Sequence, residues 1–102
     1  MSYDLDDIKD QLEDGEAQLF DVREQDEWDA GHLTQASLVP LSSLSEGVEP
    51  EGFDKNKITY LHCRSGKRVM TAAPLLENMG FSNVTPLHEG FEALMAEGFP
   101  VE

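Results

Sequence analysis

This chain has almost no cysteine, few cations and no long apolar run, and each shortage closes off a class of protein. Its one cysteine, Cys63, cannot form an internal disulfide, so nothing points to the framework of a small secreted domain, and the thiol is expected to be free. No stretch approaches the ~20 consecutive apolar residues that span a bilayer. The amino-terminal Met1-Ser2-Tyr3-Asp4-Leu5-Asp6-Asp7 has neither the basic segment nor the apolar segment of a signal peptide. These absences predict a cytoplasmic protein with no membrane partner. Lys and Arg number 7 against 21 Asp and Glu, a net charge of −14. A field of that sign repels phosphate backbones and anionic membranes, which argues against nucleic acid as a partner. There is no internal repeat and no low-complexity tract, although residues 42–56 are rich in Ser, Glu, Gly and Pro and read as a surface connection. The 39% hydrophobic fraction is that of a globular protein, and 102 residues predict one domain over 1–102, monomeric by default.

What the chain does have is an apolar run, a loop and a helical pattern joined at Leu61-His62-Cys63-Arg64-Ser65-Gly66-Lys67-Arg68-Val69. A strand that passes through a tight loop into a helix start is a setting in which backbone N–H groups and the helix dipole favour an anion. The thiolate is the nucleophilic form of cysteine, and helix N-termini and neighbouring cations promote it. Arg64, Lys67 and Arg68, three of the chain's seven cations, lie within five positions of Cys63. A lone cysteine in a strand ordinarily reads as a small buried core residue. Here the cations turn the reading toward a reactive thiol at a local positive focus on an acidic molecule.

Along the chain, Leu5, Ile8 and Leu12 stand at i, i+3 and i+7 among acids and are closed by Gly15, which predicts an amphipathic helix over 4–14. Residues 17–22 predict a buried parallel strand. Asp21 and Arg23 fall at its C-terminal end, where open α/β sheets bind ligands. Taken alone, Asp21 reads as an N-cap or turn acid and Arg23 as a solvated charge. Residues 25–30 predict a short helix carrying Trp28, read as core, and Gly31-His32-Leu33 ends it. His32 can titrate near neutrality, yet a single His after a helix-ending Gly reads as a hydrogen-bonded structural residue. With no second His or Cys nearby, a zinc site has little support. Residues 37–39 predict a strand stopped by Pro40, 41–44 a single helical turn, and 58–62 a central strand. Val69, Met70, Ala73, Leu76 and Met79 continue at helical spacing to Gly80. Both methionines read as core fillers, and Pro74 is expected to bend this helix. Residues 84–87, with Pro86, predict a strand at an edge or an end, and 90–97 a last helix closed by Gly98. Strands and helices alternate throughout, which predicts an α/β fold: a mostly parallel central sheet with helices on both faces.

Four short motifs, Asp21-Val22-Arg23-Glu24, Glu27-Trp28-x-x-Gly31-His32-Leu33, Cys63-Arg64-Ser65-Gly66-Lys67-Arg68 and Gly90-Phe91, resemble in order and spacing those of single-domain rhodaneses, over nearly the whole chain. Gln35, Val69, Glu89 and Leu94 depart from the residues usual in that family, and none of them is the cysteine. The resemblance implies a sulfurtransferase that needs no cofactor or metal. Cys63 is its nucleophile: it takes sulfur from a small anionic donor such as thiosulfate, becomes a persulfide, and passes the sulfur to cyanide or to a thiol, a protein thiol included. Arg64, Ser65, Gly66, Lys67 and Arg68 form the implied substrate-binding loop, whose N–H groups hold the terminal sulfur, with Arg64 and Lys67 attracting the donor. Asp21, Arg23 and His32 are implied supports, and Arg68 is implied to turn inward and pair with Asp21. A cysteine phosphatase is the rival enzyme, but the four residues between Cys63 and Arg68 make a ring better matched to one sulfur atom than to a phosphate. A rhodanese-like binding or regulatory module is the non-enzymatic alternative, usually signalled by loss of the cysteine that is present here.

Overall fold

Helices and strands alternate along the computed structural model, which describes residues 3–102; Met1 and Ser2, part of the stretch read for a signal peptide, lie outside the described residues. In order they are α1 (Leu5–Asp14), β1 (Ala17–Asp21), α2 (Gln25–Ala30), β2 (Ala36–Leu38), α3 (Leu41–Ser45), β3 (Ile58–His62), α4 (Arg68–Asn78), β4 (Val84–Pro86) and α5 (Phe91–Ala96). The sheet order is β2-β1-β3-β4 and every pairing is parallel. Parallel neighbours need crossovers over the faces of the sheet, which is why a helix stands in each connection. The alternating pleat sorts the side chains. Ala17, Leu19 and Tyr60 pack with Ile8 of α1 and Leu94 of α5 on one face. Phe20, Val22, Leu61 and Cys63 pack with Leu44 of α3 and Val69, Ala72 and Leu76 of α4 on the other. The α/β architecture with helices on both faces is therefore the one the alternation implied.

Local chemistry sets the ends of these elements. The Asp4 carboxylate accepts the Asp6 N–H and starts α1, a capping contact typically worth about 1 kcal/mol. β4 is an edge strand, and Pro86, which has no N–H to donate, sits at its last position. α4 continues through Pro74, which is exposed on the same side as Met70, the residue whose carbonyl loses its helical donor. Two core readings are corrected here. The buried stripe of α4 is Val69, Ala72, Ala73 and Leu76, so Met70 points away and is 59% exposed, whereas Met79 packs partly buried on the core. Trp28 is half-buried and stacks on His32 instead of entering either core cluster.

The sheet's central pair positions the site. β1 and β3 run in register, with Asp21 opposite His62, so the segments leaving both strands emerge side by side at one edge. The Val22 N–H donates to the His62 carbonyl and extends this alignment beyond β1.

Candidate active site

Cys63 is the residue immediately after β3, and its side chain is fully buried beneath the loop that leads into α4. The loop folds back so that the Gly66 N–H donates to Cys63 Sγ at 3.2 Å. The N–H groups of Arg64, Ser65 and Lys67 have no acceptor among the described residues. Arg64, Ser65 and Lys67 are exposed, which leaves two cations of the loop at the surface. Segment 87–91 presses on the loop from the side. The Phe91 N–H donates to the Cys63 carbonyl at 2.9 Å, and the Leu87 N–H donates to the Leu61 carbonyl at 2.9 Å. Two glycines make that approach feasible. A Cβ on Gly66, whose φ is +82°, would lie 2.5 Å from the His88 carbonyl oxygen, and one on Gly90 would lie 1.9 Å from the Arg64 carbonyl oxygen.

Asp21 and Arg23 point the same way at the end of β1, as i and i+2 residues do. The Arg23 guanidinium grips the Asp21 carboxylate through Nε and Nη2 at 2.8–3.0 Å, and Nη2 also donates to the Gly31 carbonyl at 2.8 Å. Both side chains are buried, and Arg23 lies over the Phe91 ring at 4.3 Å. The implied pairing of Arg68 with Asp21 is therefore not formed. Arg68 is the first residue of α4 and faces α2, where Nη1 and Nη2 bind Glu27 Oε1 and Oε2 at 2.7 and 2.8 Å. These hydrogen bonds outweigh the opposing effect of burial and lower the Glu27 pKa to about 2.

The sequence also left His62 without a role. Its imidazole is buried, with Nδ1 3.4 Å from the Cys63 carbonyl and Nε2, which has no hydrogen-bond partner among the described residues, 3.6 Å from Asp21 Oδ2. Burial holds its pKa below the usual histidine range despite the pull of Asp21. His32 does not face this cluster. Its Nδ1 lies 3.0 Å from the Trp28 carbonyl and its ring stacks on the indole at 3.6 Å between centroids, which is the structural reading of that residue. A cleft of about 480 Å³ opens beside the loop, lined by Arg23, Glu27, Ala30, Arg64, Phe91 and Glu92 among others. Glu27 and Phe91 were visible as motif members but carried no role. The signal for Glu27 was its place three residues after Glu24, the spacing at which a helix N-terminus is capped, and its Oε1 does accept the Glu24 N–H.

Comparisons with known proteins place this chain, with its parallel sheet and buried cysteine at a strand end, in one family. A sequence model of the rhodanese-like domain matches residues 4–97. The chain is 31% identical over 87 residues to the probable adenylyltransferase/sulfurtransferase MoeZ of Mycobacterium tuberculosis, a match covering 84% of this chain and 22% of that protein. It is 33% identical over 86 residues to the thiosulfate sulfurtransferase GlpE of Pseudomonas fluorescens, covering 84% of this chain and 76% of that one. Among solved structures, the Alr3790 protein of Anabaena superposes with a TM-score of 0.82 at 27% identity, covering 98% of this chain and 79% of that chain. This chain belongs to the rhodanese-like domain family, and sulfurtransferases are among its relatives.

Proposed function

We propose that this protein is a sulfurtransferase that moves a sulfane sulfur from an anionic, thiosulfate-like donor through a Cys63 persulfide to a thiol or cyanide. The observation that carries this reading is the Gly66 N–H aimed at Cys63 Sγ in a loop that shows Arg64 and Lys67 to solvent. The Cys63 thiolate attacks the outer sulfur of thiosulfate, the donor's S–S bond breaks, and sulfite leaves with the electron pair. The acceptor thiolate or cyanide then attacks the terminal sulfur, and the Cys63 thiolate is the leaving group. The N–H groups of Arg64, Ser65 and Lys67, which have no acceptor among the described residues, are the donors available to stabilise the anionic persulfide. The relationship to GlpE, named a thiosulfate sulfurtransferase, supports this donor class.

Full burial of Cys63 favours a second reading, a rhodanese-like module that binds a partner without turnover. Steady-state formation of thiocyanate from thiosulfate and cyanide separates the two. Wild-type protein should turn over with the parallel double-reciprocal lines of a two-step covalent cycle, and Cys63→Ser should be inactive because a hydroxyl is a far poorer nucleophile and no second cysteine exists. A Cys63→Ser protein that retained most of the activity would sink the mechanism.

A further inference from the structure

We propose that Tyr3 and Glu89 are positioning residues for the loop over Cys63, which they act on by holding segment 87–91 in place; the proposal rests on reading that loop as the sulfur-transfer site. Tyr3 Oη accepts the His88 N–H at 2.7 Å and donates to Glu89 Oε1 at 2.7 Å. Its ring stacks on the His88 imidazole, with centroids 6.2 Å apart and planes 22° apart. One phenol therefore fixes two consecutive residues of 87–90, the stretch before α5 that has no regular structure of its own. Segment 87–91 touches the loop at three places. The His88 carbonyl abuts Gly66, whose N–H meets the sulfur; Gly90 abuts the Arg64 carbonyl; and the Phe91 N–H holds the Cys63 carbonyl. A shift of 88–90 by a fraction of an ångström would be transmitted to Gly66, because the carbonyl–glycine contacts leave no slack. Burial raises the Tyr3 pKa, so the phenol keeps the proton it donates to Glu89.

The test compares wild type with Tyr3→Phe, Glu89→Ala and Glu89→Gln. Tyr60→Phe serves as the control, since it removes a hydrogen bond to Gln11 of α1 and leaves 87–91 untouched. Amide hydrogen exchange at Phe91 and Gly66 is read by NMR alongside steady-state kinetics with thiosulfate and cyanide. Tyr3→Phe and Glu89→Ala should each speed exchange at Phe91 by roughly tenfold, through local opening. They should lower kcat by about fivefold while KM changes by less than about twofold, the split expected for a misplaced site with intact donor capture. Glu89→Gln keeps an acceptor oxygen and should restore both, and Tyr60→Phe should change neither. Phe91 exchange matching the control in both disruptive variants overturns the proposal, as does altered exchange with unchanged kcat. A wild type that transfers no sulfur overturns the functional reading instead, and the exchange rates then decide the tether by themselves.

Discussion

Asp21 and Arg23 make the energetics of the site concrete at the level of single residues. Both are buried and doubly hydrogen-bonded to each other, so removing either strands a charge without water. Breaking such a pair typically costs about 3–5 kcal/mol, whereas removing both partners leaves no orphan. Urea denaturation should therefore find Asp21→Ala and Arg23→Ala each destabilised by that order, with the double variant much less damaged than their sum. Additive losses would mean that the two carry independent roles. The chain order placed Asp21 and Arg23 at the correct strand end, but it did not say that they satisfy each other. The sequence resemblance paired Asp21 with Arg68, whereas in the fold Asp21 is taken by Arg23 and Arg68 by Glu27 of α2.

Elements meet at the loop, and the Glu27–Arg68 pair is what joins α2 to α4 there. Its side chains are 26% and 31% exposed, so solvent weakens it and a worth of about 1 kcal/mol is the appropriate scale. Its pH signature is sharper than its energy. The Glu27 pKa falls from 4.5 to about 2 on folding, so the stability it contributes is complete above pH 4.5 and disappears as pH drops toward 2. Thermal unfolding of Glu27→Gln across that window should show a shallower acid decline than wild type; identical slopes would contradict the pairing. His62 adds its own loss below its ordinary pKa of 6.5, since the folded state resists its protonation, and that contribution is common to both proteins. Periodicity and capping residues made the elements legible. Residues 25–30 and 58–62 are the observed α2 and β3, and the other boundaries fall within a residue or two. Contacts between elements were not legible in the same way. Tyr3 and Glu89 lie 86 positions apart, and no local rule couples them.

Across the whole molecule, charge is the organising quantity. A net charge of −14 repels an anionic donor, while Arg64 and Lys67 stand exposed on the loop after Cys63 as a local countercharge. Arg64→Ala and Lys67→Ala should each lower kcat/KM for thiosulfate by about five- to tenfold at low salt, with the loss shrinking as the Debye length falls below ~10 Å. A loss independent of salt would assign these residues to contact instead of steering. The central claim concerns one atom on one side chain, and the intact mass of the protein tests it most directly. Incubation with thiosulfate followed by desalting should add ~32 Da to the wild type and nothing to Cys63→Ser, and cyanide should then remove the added mass, because the persulfide holds a single transferable sulfur. An unchanged wild-type mass, or a gain that persists after cyanide, would contradict a Cys63 persulfide.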